Sequence, residues 1–114
     1  MKDIKEIVTR LSGHRNRACY GVLCCAAEVV RKYQPYEPQM KAVLVEVKGM
    51  IKDGKPRKES SLSKALSRAL DDIWESGDQQ ELEKVFGHQV IDRPTPRELV
   101  CRIAEYAWKQ ETVA

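Results

Sequence analysis

The stretch from Met40 to Gly77 limits what this chain can fold into more than any other part of it. An apolar-periodic segment runs through the basic turn Gly54-Lys55-Pro56-Arg57-Lys58 into a second helical segment that opens on Ser60-Ser61. In the second segment Leu62, Ala65, Leu66, Ala69, Leu70, Ile73 and Trp74 recur three and four residues apart, which gathers them into one buried stripe on an α-helix. At about 100° per residue, the opposite face carries Ser60, Ser61, Lys64, Ser67 and Arg68 first, then Asp71 and Glu75. The spacing predicts a helix-turn-helix over residues 40–76. Its second helix is cationic in its first half and anionic in its last, which suits a helix that presents its start to a phosphate-lined groove.

The net charge of +3 conceals a division along the chain. Residues 1–68 hold 15 Lys/Arg against 7 Asp/Glu (+8), and residues 69–114 hold 5 against 10 (−5). Lys48, Lys52, Lys55, Arg57, Lys58, Lys64 and Arg68 fall close together, opposed by Asp53 and Glu59 alone. Cationic side chains on a turn and a helix start are the electrostatic footprint of a nucleic-acid binder, because neutralised phosphates release condensed counterions. A merely solvated face is the plainer reading of such a run.

The remaining segments predict an all-α protein, one compact bundle of about six helices over residues 1–114. Ile4, Ile7, Val8 and Leu11 line one face of a short helix from Asp3 to Leu11, closed by Ser12-Gly13. The run Ala18 to Tyr33 is apolar nearly all round in its middle turns, as a helix at the centre of a bundle must be. Gln34-Pro35-Tyr36-Glu37-Pro38 ends it.

The segment Gln39 to Asp53 is ambiguous, because Val43-Leu44-Val45-Glu46-Val47 would also suit a strand. A helix is expected, since Met40, Val43, Leu44, Val47, Met50 and Ile51 form a helical stripe and no partner strand is evident. After it comes the Ser60 helix, where Ser60 reads as the N-cap. Gly77 and Asp78 then form a C-cap and a new N-cap, Leu82, Val85 and Phe86 mark a short helix ended by Gly87, and Thr95-Pro96-Arg97-Glu98 is a capping box. Leu99, Val100, Ile103, Ala104 and Ala107 turn the last helix inward, with fraying expected from Gln110.

Several function classes are disfavoured. No apolar run approaches the roughly 20 residues needed to cross a bilayer, and the charged start Met1-Lys2-Asp3-Ile4-Lys5-Glu6 lacks the apolar core of a signal peptide. A cytoplasmic protein without a membrane partner is expected. Cys19, Cys24, Cys25 and Cys101 form no Cys-x-x-Cys pair and have no nearby His, so no metal is expected, and Cys24 and Cys25 read as small buried hydrophobes. His14 and His88 stand far apart, with no nucleophile motif around either. No phosphate loop and no paired carboxylates in a pocket-like context are present, so neither an enzyme, a cofactor nor a small-molecule substrate is expected.

The order of bundle helix, helix-turn-helix, short helix and Pro-capped helix resembles the C-terminal DNA-binding domain of stage zero sporulation protein A, a bacterial response regulator that initiates sporulation. The residues carrying the likeness are Leu62, Ala65, Leu66, Ala69, Leu70 and Trp74, then Ser76-Gly77, Leu82…Val85-Phe86-Gly87 and Pro94-Thr95-Pro96…Glu98. Gly13 and Tyr20-Gly21 also fit, and the likeness spans about residues 10–108. The resemblance implies a sequence-specific transcription regulator whose helix 60–76 enters the major groove of double-stranded DNA. By position, Ser61, Lys64, Ser67 and Arg68 become the candidate readers, Ser63 is a DNA-facing serine suited to base or phosphate contact, and Lys52, Lys55, Arg57 and Lys58 hold the phosphate backbone.

The chain departs from that family in being less charged at Ser61, Ser63 and Ser67 and in a turn about three residues longer at Gly54 to Arg57. A freestanding protein without the family's receiver domain is expected, and hence no aspartyl phosphorylation within the chain. One helix-turn-helix buries little surface, so a homodimer or tandem occupancy of half-sites is expected. The competing expectation is a protein-interaction module or antagonist on the same fold, from a mobile element.

Overall fold

In a computed structural model, which describes residues 4–12, 18–34, 36–50 and 58–112, six helices follow one another and no strand occurs among the described residues. They are α1 (Ile4–Leu11), α2 (Ala18–Tyr33), α3 (Met40–Met50), α4 (Glu59–Ser76), α5 (Gln79–Phe86) and α6 (Pro96–Thr112). The Cα radius of gyration is 13.2 Å, close to the roughly 13 Å expected of one packed body of this length. The all-α bundle expected from periodicity is what the chain forms.

α2 is the hub. Val22, Leu23, Ala26, Ala27, Val29 and Val30 are buried in it, and it packs against α1, α3, α4 and α6. Its small and β-branched residues allow close approach on several sides, which is why the sequence there shows no clean polar face. Ile4, Ile7, Val8 and Leu11 of α1 and Leu99, Val100, Ile103, Ala104 and Ala107 of α6 complete the core around it.

The valine-rich segment is helical, with Val43, Leu44 and Val47 buried. Met50, expected on the inner stripe, is exposed instead, at the last residue of α3. Ile51, Gly13 and the turn at 51–57 lie outside the described residues.

Two glycines are dictated by the backbone. Gly77 closes α4 at a φ of −84°, open to any residue, yet a Cβ there would collide with the backbone oxygens of Leu11 and Ile73. The contact exists because Asp78 N–H donates to the Leu11 carbonyl (3.3 Å), joining the α4–α5 corner to the end of α1. Gly87 ends α5 in the left-handed region at φ 78°, where its N–H reaches the Glu83 carbonyl at 2.8 Å.

Asp78 caps α5 as expected, its carboxylate accepting from the N–H groups of Gln80 and Glu81. Thr95 caps α6: its hydroxyl accepts from Glu98 N–H (3.2 Å) and faces the Glu98 carboxylate (3.3 Å). α6 continues to Thr112, past the point where fraying was expected, carried by Ala107 on the core and Lys109 paired to Glu105 at 2.8 Å.

Candidate nucleic-acid interface

α4 is divided lengthwise as its periodicity requires. Leu62, Leu66, Ala69, Leu70 and Ile73 are buried, and Ala65 and Trp74 are half-buried against the core. On the outer face Ser60, Ser61, Ser63, Lys64 and Arg68 are exposed, and Ser67 is half-buried. Ser61, Ser63, Lys64, Ser67 and Arg68 therefore share one helix, and Lys58 is exposed just ahead of it. Lys52, Lys55 and Arg57 lie outside the described residues.

Ser60 is not the N-cap. The helix starts one residue earlier, and Lys58 holds the cap position in extended backbone (φ −77°, ψ 150°) with no side-chain hydrogen bond. Its carbonyl accepts from Ser61 N–H (3.0 Å) and Leu62 N–H (3.2 Å). Ser60 thus sits within the first turn, its hydroxyl on the exposed face rather than spent on a cap.

The orientation of α4 is fixed from both flanks. The Tyr20 hydroxyl of α2 donates to the Asp72 carboxylate of α4, with both residues buried. Farther round the helix, the Arg93 guanidinium donates to the exposed carboxylate of Asp71. Arg93 belongs to a segment held at Val90, whose N–H donates to Glu83 (3.1 Å) and whose carbonyl accepts from Gln79 (3.0 Å). The anionic half of α4 is accordingly committed partly to internal contacts, and the cationic half is not.

Ion pairing sorts the described cations. Arg10, Arg31, Lys32, Lys84, Arg93, Arg97, Arg102 and Lys109 each have a carboxylate partner. Among the described residues Lys5, Lys41, Lys48, Lys58, Lys64 and Arg68 have none. Apart from Lys5, these belong to α3, α4 or the residue leading into α4. Position along the chain had already singled out Lys58, Lys64 and Arg68. Lys41 lies outside the candidate set read from the sequence, and Lys48 enters it only as part of the charge run. The signal for both was their seven-residue separation, two helical turns that put them on one face.

Glu46, the acidic residue of α3, faces α2. Its carboxylate accepts from Lys32 Nζ (2.6 Å) and from the Tyr33 hydroxyl (2.7 Å), contacts that hold its pKa below the usual glutamate value and raise that of Lys32. The Lys32 ammonium also lies 5.2 Å from the Tyr33 ring centroid.

The thiols are arranged for packing. Cys101 is buried, whereas Cys24 and Cys25, expected inside, are half-buried against the core because α2 turns that edge partly outward. Burial pushes the Cys25 and Cys101 thiols up in pKa, with Glu28 and Glu37 adding to it respectively, which disfavours the thiolate. No group of three or more His, Cys, Asp or Glu side chains spaced to hold a metal ion occurs among the described residues. No described helix is long and apolar enough to cross a membrane.

Comparison with protein families, with characterised proteins and with solved structures finds no match to this chain.

Proposed function

We propose that this chain is a bacterial DNA-binding transcription regulator of the type of the stage zero sporulation protein A effector domain. In this reading α3, the turn after it and α4 form the helix-turn-helix, and α4 lies in the major groove. Lys64 and Arg68 reach base edges or phosphates, while Ser61, Ser63 and Ser67 let the helix approach the groove wall closely. Lys52, Lys55, Arg57 and Lys58 clamp the phosphate backbone beside it. The protein acts in the cytoplasm, as a homodimer or in tandem on repeated half-sites.

The observation that carries the reading is a segregation of cations: Lys41, Lys48, Lys58, Lys64 and Arg68, on α3, α4 or the residue leading into α4, have no carboxylate partner among the described residues, while the cations of α2, α5 and α6 are engaged with carboxylates. Desolvating an already paired cation against phosphate would sacrifice its carboxylate contact, so the unpaired set gains more from a polyanion.

Selection of bound duplexes from a randomised pool tests the proposal. An enriched motif with half-sites about one helical turn apart is expected. Recovery of no motif, with no retention of random duplex at low salt, would transfer the fold to the alternative of a protein-interaction module or antagonist. The serines that dilute charge along α4 favour that second reading.

A further inference from the structure

We propose that Arg93, carried in from the segment between α5 and α6, makes a phosphate contact at the far end of α4, so that the DNA-facing surface includes a residue outside the helix-turn-helix. This inference rests on the DNA-binding reading and adds to it a residue that neither the helix pattern nor the charge run contains.

Arg93 stands in a short bridge pinned at both ends. Val90 is buried and tied to α5 through Glu83 and Gln79, and Pro94 is buried ahead of the Thr95 cap. Between them Ile91, Asp92 and Arg93 are exposed. Ile91 and Asp92 line a cleft with Phe86 and Pro94, whereas the Arg93 guanidinium lies on α4, where its Nη2 donates to Asp71 Oδ1.

That hydrogen bond fixes which way Arg93 looks. Asp71 is exposed on the outer face of α4. At about 100° per residue, Asp71 lies about 20° from the line of Lys64 and about 60° from that of Arg68. Arg93 is therefore on the same face as the two cations of the candidate interface. It compensates the first carboxylate of the anionic half, so on this face negative charge without a basic partner among the described residues begins at Glu75.

The position suits a phosphate rather than a base. Ser60 and Asp71 are about 16.5 Å apart along the helix axis, more than the roughly 12 Å width of the major groove. A helix that meets base edges with its first turns has Asp71 at the phosphate wall, where a bare carboxylate would be repelled. Arg93 makes that position attractive. Its contact with Asp71 uses one end of the planar fork, no other acceptor holds it among the described residues, and 47% of the side chain is exposed. A guanidinium can keep a carboxylate on one edge while another edge takes a phosphate oxygen.

Removing both members of the pair leaves the net charge of the protein unchanged, which separates a phosphate contact from general attraction. Binding of a random-sequence duplex would be measured across a salt series for the unaltered protein, for Asp71→Ala/Arg93→Ala and for Glu6→Ala/Arg10→Ala, a control that removes an exposed pair from α1. The expected result is a slope of log K against log salt smaller by about 0.9 in the first variant, no change in the control, and unaltered far-UV circular dichroism in both. Asp71→Asn/Arg93→Gln, which leaves polar side chains in place, should give the same loss and replaces the alanine pair if that pair unfolds.

If the unaltered protein binds duplex and the folded Asp71 and Arg93 double variants keep its slope, or the α1 control loses as much, Arg93 makes no phosphate contact while the DNA-binding reading survives. Absence of duplex binding by the unaltered protein removes both.

Discussion

The Tyr20 hydroxyl and the Asp72 carboxylate are joined by a hydrogen bond buried between α2 and α4, across 52 residues of sequence. Asp72 follows Arg68 by four residues, one turn that keeps both on neighbouring lines of the helix. The bond that anchors α4 to the hub helix thus also sets the rotation at which Arg68 leaves the surface. Hydrogen bonds to charged groups contribute about 1.5–3 kcal/mol. Tyr20→Phe is expected to lower stability by about that amount, read as a fall in the urea midpoint at unchanged slope.

The Gly77 corner is set by contact, not by dihedral angle. Gly77→Ala should cost about 1–3 kcal/mol, since the new methyl meets the backbone of Leu11 and Ile73, which cannot swing aside as a side chain could. Gly87→Ala, which places no methyl against a neighbour but imposes a left-handed residue, should cost about 1–2 kcal/mol. Thermal unfolding of the two variants distinguishes the causes: Gly87→Asn should recover much of the loss, and Gly77→Asn none.

At the start of α4 the cap position is occupied by a residue that cannot cap. Lys58→Ser should stabilise the protein by about 1 kcal/mol, because the extended backbone there already has the N-cap geometry. The same change removes a cation from the proposed interface, so stability should rise while duplex affinity falls. Ser60→Ala should change stability by less than about 0.5 kcal/mol. A large loss in the Ser60 variant would contradict the cap assignment.

The tie between α2 and α3 gives stability a pH dependence of known sign. Lys32 and Tyr33 lower the Glu46 pKa from its ordinary 4.5, so the ionised contact contributes above that value and fades as pH falls through the lower folded pKa. Lys32 is raised from 10.5, mainly by its bond to Glu46, so its contribution is full below 10.5 and fades as pH climbs through the higher folded pKa. Glu46→Gln should flatten both limbs of a stability profile measured from pH 3 to pH 11. Glu105, lowered chiefly by Lys109, adds a separate acid-limb contribution that the variant leaves in place.

Much of the bundle was legible because helix faces and caps are local. The stripe from Leu62 to Ile73, Asp78 ahead of α5 and Thr95 ahead of α6 are written in spacings of two to four residues. Ser60 misled because serine is the better cap by chemistry, while the cap position fell two residues upstream at Lys58. Met50 misled because periodicity assigns a residue to a face but does not say how far up the helix that face is covered. The pairing of cations was illegible, since Lys32 finds Glu46 and Arg93 finds Asp71 only once the helices pack. That pairing is what separates the cations with no carboxylate partner among the described residues from those already engaged.

The central claim is that the outer face of α4 meets DNA, and fluorescence anisotropy of a labelled duplex tests it most directly. The unaltered protein and Lys64→Ala/Arg68→Ala would be titrated at one low salt concentration, with folding checked by circular dichroism. Saturable binding that weakens at least tenfold in the variant is the predicted result, corresponding to about 1.4 kcal/mol or more. Equal affinity in the two proteins, or no binding by either, would contradict it.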